Sequence, residues 1–402
     1  MEPMSGCKVF GAFKAFYGVE DVTPIIHGPI GCYWGTLYHQ VAQNENSLKA
    51  TSSAIHDRDI VFGAEGKLEH AIEVARECYN PKMVAILGCC VSAIIGDDIK
   101  AVRKHCDMPS FYVDSAGFKG HEWEGYEEAL LEFLPIMKDG GEEANTVNLL
   151  GFDTISPKAR ADIKEIKRLL ALSGCDVNAT LAVDTTLAQI ARMPSVTKNI
   201  VIGGYGLRLA EAMKKEFGTP YEIVDAPYGT YLTEEFLIKA SDGESDGCGS
   251  TQVYRKDVIG SLERAYMMIQ RLYDVPVGVV ADYARADALT KFMEIEVGCD
   301  VVVSAITSGS PVHPEMNEDL FEINDRFRNA EVRNDRLRLI LGTSFQKRIA
   351  EELDSPLIRV AYPAHDEFSL YDYAPYMGYR GTVVLIEKIL NLFLNKYPEE
   401  GL

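Results

Sequence analysis

The chain has 402 residues and a formal net charge of −20 at pH 7, with 40 Lys and Arg residues against 60 Asp and Glu residues. This acidic balance argues against a nucleic-acid-binding protein, which needs a basic face. No run of about 18 apolar residues is present to span a membrane, and the first residues lack the basic and apolar regions of a secretory signal. We therefore expect a cytoplasmic protein with no nucleic-acid or membrane partner.

Short apolar runs rich in β-branched residues alternate with amphipathic helical patterns along the whole chain. The predicted strands cover residues 23–27, 82–88, 110–114, 147–152, 176–181, 199–202, 221–225, 277–281, 300–305, 337–341 and 357–362. Helical patterns between them include 65–78, 157–173, 207–217, 286–297 and 344–353. This alternation is typical of βαβ units and parallel sheets. The predicted fold class is α/β, with three doubly wound, Rossmann-like parallel-sheet domains.

Two polar stretches that contain glycine, 138–143 and 241–250, separate these patterns into three parts. We predict a first α/β domain over 1–142, a second over 143–250 and a third over 251–402, each near the usual domain size. A long helix is expected from about residue 257 to 272. The third domain is expected to end in a helix over 382–394, which packs back on another domain.

Nucleotide binding by this chain is disfavoured. The glycine-rich turn at 202–206 lacks the full Gly-x-Gly-x-x-Gly spacing, and the chain contains no Walker A sequence. A tight turn with close helix packing explains these glycines.

Nine cysteines are present, and none forms a Cys-x-x-Cys pair. This pattern disfavours zinc ribbons and bacterial ferredoxin-type sites, and a cytoplasmic chain of this length is not expected to carry a disulfide framework. Cys175 and Cys299 lie in helix-to-strand joints and are interpreted as small buried residues. Cys89 is interpreted in the same way.

Three other cysteines lie where a strand or loop passes into a helix. Cys7 follows the short N-terminal segment, Cys32 ends the turn His-Gly-Pro-Ile-Gly-Cys at 27–32, and Cys90 follows the predicted strand 82–88. Doubly wound folds place their sites beyond the carboxyl ends of strands, so Cys32 and Cys90 are expected on one edge. Helix N-termini stabilise thiolates there. Two interpretations fit the spacing: an iron–sulfur site, or buried thiols in tight turns.

Several segments resemble those of nitrogenase component 1 subunits. The turn at 27–32 resembles their His-Gly-Pro-x-Gly-Cys turn, 59–68 resembles their Asp-Ile-Val-Phe-Gly-Gly-x-x-Lys-Leu segment, and 90–98 resembles their Cys-x-x-x-(Ile/Leu/Val)-Ile-Gly-Asp-Asp element. The stretch 227–237 is similar to a Pro-x-Gly-x-x-x-Thr-(Asp/Glu)-Glu-Phe-Leu stretch of the β-type subunit. The segments 356–363 and 378–381 match the tail of that family.

The resemblance implies a tetramer of two similar kinds of subunit, each with three α/β domains. Each subunit of a pair gives three cysteines to an interfacial iron–sulfur cluster, P-cluster-like [8Fe-7S] or [4Fe-4S], and the matching positions here are Cys7, Cys32 and Cys90. The cluster passes electrons from an ATP-dependent iron protein to a reduction site. Gly31 and Ser92 are expected next to the cluster. His27 is expected either to tune it or to bond the turn.

Two departures from the family pattern bear on the role of this chain. The second-domain turn reads Gly203-Gly204-Tyr205, where the α-type subunit has a cofactor cysteine, and His313 and His365 are interpreted as loop residues. The chain therefore resembles a β-type subunit in an anaerobic, heterotetrameric nitrogenase-like reductase, with a homologous α-type partner. Methylthio-alkane reductase is one such system. No catalytic residues are assigned. A scaffold for metallocofactor maturation and a metal-free α/β binding protein remain alternatives.

Overall fold

A computed structural model describes residues 6–42, 49–141, 143–241, 245–316, 318–332, 336–367 and 374–398. Within these residues the strands form three four-stranded parallel sheets. The predicted fold class is therefore confirmed, as are all eleven predicted strands. A twelfth strand of two residues, Thr51–Ser52, is too short to leave a sequence pattern.

The first sheet has the strand order β2-β1-β3-β4. Its elements are α1 (Lys8–Tyr17), β1 (Val22–His27), α2 (Ile30–Ala42), β2 (Thr51–Ser52), α3 (Asp57–Phe62), α4 (Glu65–Tyr79), β3 (Met83–Gly88), α5 (Cys90–Ile95), α6 (Ile99–His105), β4 (Ser110–Asp114), a 3₁₀ turn (Gly117–Lys119), α7 (Glu122–Leu131) and a second 3₁₀ turn (Leu134–Ile136). Every residue of β1 is buried, as expected for a strand covered on both faces.

The second sheet has the order β6-β5-β7-β8. Its elements are β5 (Glu143–Leu150), α8 (Ala159–Leu172), β6 (Asp176–Thr180), α9 (Leu187–Ala191), a 3₁₀ turn (Met193–Ser195), β7 (Val196–Ile202), α10 (Leu207–Phe217), β8 (Tyr221–Val224), α11 (Gly229–Ala240), α12 (Ser245–Ile269) and a 3₁₀ turn (Gln270–Leu272). Helix α12 begins within the polar stretch that was expected to be a loop up to residue 250. That expectation is wrong for 245–250, because a long helix overrides the weak local preference of Gly and Ser.

The third sheet has the order β10-β9-β11-β12. Its elements are β9 (Pro276–Ala281), α13 (Tyr283–Lys291), a π-helical stretch (Phe292–Val297), β10 (Asp300–Ile306), α14 (Leu320–Val332), β11 (Leu339–Gly342), a 3₁₀ turn (Ser344–Gln346), α15 (Lys347–Glu352), β12 (Leu357–Arg359) and α16 (Gly378–Lys396). Helix α16 packs against α8, α11 and α12, so the end of the chain covers the second sheet.

The hydrophobic cores do not stop at the predicted domain boundaries. One core joins residues of the first and second sheets, including Leu87 and Val201. Another joins the second and third sheets, including Ile200 and Val279. The three sheets are therefore held in fixed relation by shared apolar packing. No helix in the described part of the chain is long and apolar enough to cross a membrane.

Candidate metal centre

Cys32 and Cys90 leave the first sheet at the same edge. Strands β1 and β3 are parallel neighbours, and their register pairs His27 with Gly88. The turn after β1 leads to Cys32 in the first turn of α2, and the turn after β3 leads to Cys90, the first residue of α5. The carboxyl ends of two adjacent strands thus deliver two thiols to one region.

Cys7 and Cys90 both lie against Gly117. The amide N–H of Gly117 donates a hydrogen bond to Sγ of Cys90 over 3.1 Å. A Cβ atom on Gly117 would lie 3.2 Å from Cβ of Cys7 and 3.5 Å from Sγ of Cys90. The bare backbone of this glycine therefore fills the space between two of the three predicted ligands.

Cys32 is linked to its buried neighbour Cys89. The neighbouring Cys89 side chain lowers the pKa of Cys32 to about 7, and the Cys89 thiol itself donates to the carbonyl oxygen of Leu87 over 3.9 Å. The Cys32 side chain, together with burial, raises the pKa of Cys89 well above its ordinary value. Cys89 is only 1% exposed and belongs to the core, as its interpretation as a packing residue requires. Cys89 also interacts with Cys32, a predicted ligand, and its interpretation as a packing residue did not include this.

Cys7 caps the N-terminus of α1. Desolvation raises the pKa of its thiol, the amides of Phe10 and Val9 oppose the rise, and the charges of Cys32 and Cys90 add to it. The three thiols therefore lie within electrostatic reach of one another. Cys7 is exposed and Cys32 and Cys90 are half-buried, so all three are accessible from the protein surface.

The thiols do not surround a single point. Among the described residues, no group of three or more His, Cys, Asp or Glu side chains could hold one metal ion. A polynuclear cluster has different requirements, because its thiolates bind separate iron atoms. Accessible thiols, one with a lowered pKa and one bonded to a backbone amide, fit one side of such a cluster.

A buried network with Ser53, His27 and Asp97 fixes the turns that carry the thiols. Ser53 Oγ lies 3.0 Å from His27 Nδ1 and accepts the Gly28 N–H over 3.1 Å, and His27 Nε2 lies 3.0 Å from Asp97 Oδ2. Burial lowers the pKa of His27 despite the opposing charge of Asp97. Neutral His27 therefore accepts from Ser53 and donates to Asp97. The side chain bonds the turn and, since it is fully buried, has no exposed face toward a ligand.

The two other residues expected next to the cluster occupy different environments. Gly31 is exposed, and a Cβ atom there would meet nothing within 4 Å. Ser92 is buried, and its hydroxyl donates to the carbonyl oxygen of Cys89 over 3.0 Å. Gly31 thus leaves open space at the start of α2, whereas Ser92 stabilises the first turn of α5.

Exposed apolar side chains lie on the elements around the thiols. We call this set the thiol-face patch: Ile30, Trp34 and Tyr38 on α2, Ile60, Val61 and Phe62 on α3, Ile94 on α5, and Phe118 beside Gly117. Trp34 is 58% exposed, Ile94 73% and Phe62 81%. Exposed large apolar side chains gathered on neighbouring elements are typical of a protein–protein interaction site.

A second notable feature is a cavity of about 40 Å³ where the three sheets meet. The carboxyl ends of β5 and β9 lead to Asp153 and Asp282, which line it together with Arg285. Arg285 Nη1 lies 2.7 Å from Asp282 Oδ2. Burial opposes ionisation of Asp153, but the charges of Lys14 and Arg285 hold its pKa below the ordinary value. The described residues that line the cavity include neither cysteine nor histidine.

The fold and this site define an α/β protein of three parallel-sheet units with a surface set of thiols suited to a metal cluster. The sequence model of the family described as "Nitrogenase component 1 type Oxidoreductase" matches residues 7–394 of this chain. The chain belongs to this family and is an oxidoreductase subunit of the β type. Membership implies an iron–sulfur cluster.

Individual relatives align with this chain over nearly its whole length. The chain is 25% identical to the nitrogenase iron-iron protein beta chain of Rhodobacter capsulatus, over 97% of this chain and 93% of that protein. It is 22% identical to the nitrogenase molybdenum-iron protein beta chain of Methanococcus maripaludis, over 99% and 95%. A solved structure described as nitrogenase Cp1 at pH 6.5 has a TM-score of 0.82 and 21% identity, covers all of this chain and 95% of that one, and so shares the fold.

Several residues of the site gave no signal in the sequence reasoning. Gly117, Ser53 and the interaction of Cys89 with Cys32 involve no recognisable local pattern. Asp97 lies in the segment 90–98, whose resemblance to the family was noted without a role for this carboxylate. Its place in that motif is the signal that the sequence offers for it.

Proposed function

We propose that this chain is the β-type subunit of a nitrogenase or nitrogenase-like reductase, and that Cys7, Cys32 and Cys90 hold one side of an interfacial iron–sulfur cluster. The observation that carries the proposal is the position of three accessible thiols beside one apolar surface. Three thiolates from one chain leave the remaining irons for a partner chain. They suit one half of a P-cluster-like [8Fe-7S] cluster, or three of the four thiolates of a [4Fe-4S] cluster whose fourth ligand comes from the partner.

When bound, the cluster would supply one-electron chemistry at low potential. The residues of this chain hold and tune it. Hydrogen bonds to ligand sulfur shift cluster potentials, and the Gly117 amide provides one such bond. Gly31 leaves room beside the thiols, and Ser92 keeps the first turn of α5 in place.

The thiol-face patch is the proposed docking surface for a homologous α-type subunit in a heterotetramer. Exposed aromatic residues such as Trp34 and Phe62 are typical interface anchors. An ATP-dependent iron protein is the proposed electron donor to the complex.

Substrate reduction is assigned to the partner subunit. The cavity between the sheets of this chain is lined by ion pairs, tyrosines and small polar residues, and its described lining offers no thiol or imidazole. Electrons would therefore leave this chain for an active site elsewhere. A cytoplasmic location is part of the proposal, because the eight cysteines whose side chains are described are free thiols.

The test is anaerobic co-purification with the α-type homologue, followed by iron and acid-labile sulfide analysis and electron paramagnetic resonance. We expect a cluster signal that is lost in the Cys32→Ala complex and kept in the Cys78→Ala complex, since Cys78 is exposed on α4. Absence of any cluster signal in the wild-type complex would reject the proposal.

Turnover separates a reductase from a maturation scaffold. With an iron protein, ATP and a reductant, a reductase subunit supports repeated reduction of a small substrate by the complex. A scaffold would hold the same cluster and give no turnover. That result would reject the electron-relay role and favour the scaffold.

A further inference from the structure

The segment between Gly117 and Glu122 contacts two of the three predicted ligands, Cys7 and Cys90. Gly117 lies against Cys7 and Cys90, as described above. Four residues later, the backbone of His121 forms an isolated antiparallel bridge with Cys7. Glu122 then begins α7, which packs along α1. This short segment therefore connects Cys7, the first predicted ligand in the chain, to the body of the first sheet.

Glu122 makes two bonds that meet at the start of α1. Its Oε2 atom accepts the amide N–H of Gly6 over 2.8 Å, and its Oε1 atom lies 2.5 Å from Nζ of Lys14. Gly6 immediately precedes Cys7, and Lys14 lies two turns along the helix that Cys7 caps. One carboxylate thus holds both the residue before the ligand and the helix after it.

The packing leaves little freedom for this arrangement to shift. Glu122 is only 6% exposed. A Cβ atom on Gly11 would lie 1.8 Å from the carbonyl oxygen of Glu122, so the two helices approach at backbone contact there. A Cβ atom on Gly6 would lie 2.5 Å from Glu122 Oε2. The carboxylate therefore occupies a defined place between the two helices.

The negative charge of Glu122 is needed to balance the buried Lys14 ammonium, in addition to the packing of the two helices. Lys14 is enclosed by protein, and the charges of Glu122, Asp153 and Asp282 keep its pKa above the ordinary value in spite of burial. A buried ammonium without its carboxylate is strongly unfavourable. A hydrogen bond to a carboxylate is also stronger than one to a neutral acceptor. Both effects make Glu122 the natural anchor for the Gly6 amide.

We propose that Glu122 is a positioning residue for Cys7, and that its bonds to Gly6 and Lys14 fix this thiol for cluster binding. The inference rests on the proposed function, since it assigns Cys7 as a ligand. Glu122 does not itself bind the cluster. It acts through the Gly6 amide and through the pairing of α1 with α7.

The helix pair offers a matched control. Glu128, on the same helix α7, pairs with Lys8 of α1 over 2.8 Å and is partly exposed. Glu128→Ala therefore also leaves a buried lysine of α1 unpaired, since Lys8 is 5% exposed, but it keeps the bond to Gly6 and so controls for a weakened α1–α7 pairing. Glu122→Gln keeps an oxygen acceptor for Gly6 and removes the charge, whereas Glu122→Ala removes both. The Gln variant also serves if the Ala variant fails to fold.

The first experiment measures iron per chain and the electron paramagnetic resonance spectrum of each anaerobically purified complex. We expect iron in Glu122→Ala to fall about tenfold or more, the loss that one charge-assisted hydrogen bond represents. We expect Glu122→Gln to keep more iron than Glu122→Ala and to show an altered spectrum. Glu128→Ala should keep more iron than Glu122→Ala, because it leaves the bond from Gly6 to Glu122 in place. Equal iron and identical spectra in Glu122→Ala and Glu128→Ala would overturn the inference.

The second experiment needs no cluster. Amide hydrogen exchange of residues 6–10 and the alkylation rate of Cys7 are measured on the iron-free full-length chain. Glu122→Ala should speed both several-fold relative to wild type and to Glu128→Ala. Unchanged exchange and alkylation would overturn the positioning role. If the wild-type complex contains no iron, the proposed function fails, and this experiment still decides whether Glu122 holds the Cys7 segment.

Discussion

The amide nitrogen of Gly117 lies 3.1 Å from Sγ of Cys90, 27 residues earlier in the chain. The bond joins the end of the first sheet to the helix that begins with a predicted ligand. It also places the bare α-carbon of Gly117 beside Cys7. One glycine thus supplies a hydrogen bond to one thiol and space for another.

Gly117→Val should impair cluster binding. A side chain at this position lies 3.2 Å from Cβ of Cys7 and must displace a thiol or the loop, and overpacking of this kind costs about 1–3 kcal/mol. We expect iron per chain in the purified complex to fall several-fold. Gly66→Ala on α4 is the control, because a Cβ atom there meets nothing within 4 Å. Full iron content in Gly117→Val would show that the space beside Cys7 is not used.

Replacing the buried histidine should destabilise the chain. His27→Ala removes the imidazole bonds of Ser53 Oγ and Asp97 Oδ2, and the loss of two buried hydrogen bonds costs about 2–4 kcal/mol in total. Urea unfolding followed by circular dichroism measures the loss. The exposed His70→Gln variant should unfold as the wild type does. Equal midpoints for His27→Ala and wild type would remove the structural role of the network.

The same histidine should make stability depend on pH. Burial lowers the pKa of His27 in the folded chain, so below about pH 6.5 the unfolded chain takes up a proton that the folded chain does not. The contribution of His27 to the free energy of unfolding therefore falls as the pH drops through this range. Urea unfolding at pH 5 and pH 8 should show a smaller change for His27→Gln than for wild type. An identical change in the free energy of unfolding for His27→Gln and wild type would contradict a lowered pKa of His27 in the folded chain.

Glu127 should give the opposite pH dependence to His27: its contribution to the free energy of unfolding should fall as the pH rises. Its carboxylate accepts the amides of Gly206 and Arg208 at the start of α10, and burial raises its pKa to about 7. Between about pH 4 and pH 7 the folded chain keeps a proton that the unfolded chain releases, so the stability contribution is lost as the pH rises through about 7. Glu127→Gln cannot titrate, and we expect it to gain up to about 3 kcal/mol relative to wild type between pH 4 and pH 8. Glu211→Gln, exposed on α10, should show no such gain.

Trp34→Ser should weaken the complex with the α-type partner without affecting the fold. Trp34 is 58% exposed on α2, so its removal should change the free energy of unfolding by less than about 0.5 kcal/mol. A central aromatic anchor typically contributes about 2 kcal/mol or more to binding, which is roughly thirtyfold in Kd. Analytical ultracentrifugation of the complex measures this. Phe321→Ser is the control, because this side chain is 70% exposed on α14 and lies outside the thiol-face patch, and it should bind as the wild type does.

The sequence by itself determined the α/β class, the eleven longer strands and the turns that carry Cys7, Cys32 and Cys90. These features are local, because a buried parallel strand needs a continuous apolar run and a helix needs its own period. The predicted start of α12, at about residue 257, is wrong, because the helix begins at Ser245. The two-residue strand β2 is absent from the predicted strands. Weak or very short patterns do not decide such boundaries.

Only the tertiary structure decided what surrounds the thiols. The contacts of Gly117 with Cys90, of Cys89 with Cys32 and of Glu122 with Gly6 join residues that no pattern relates. The sharing of hydrophobic cores between sheets was likewise invisible in the sequence. Which backbone amide or buried carboxylate reaches a thiol depends on how strands register and how closely α1 approaches α7, and those distances are set by packing across the whole chain.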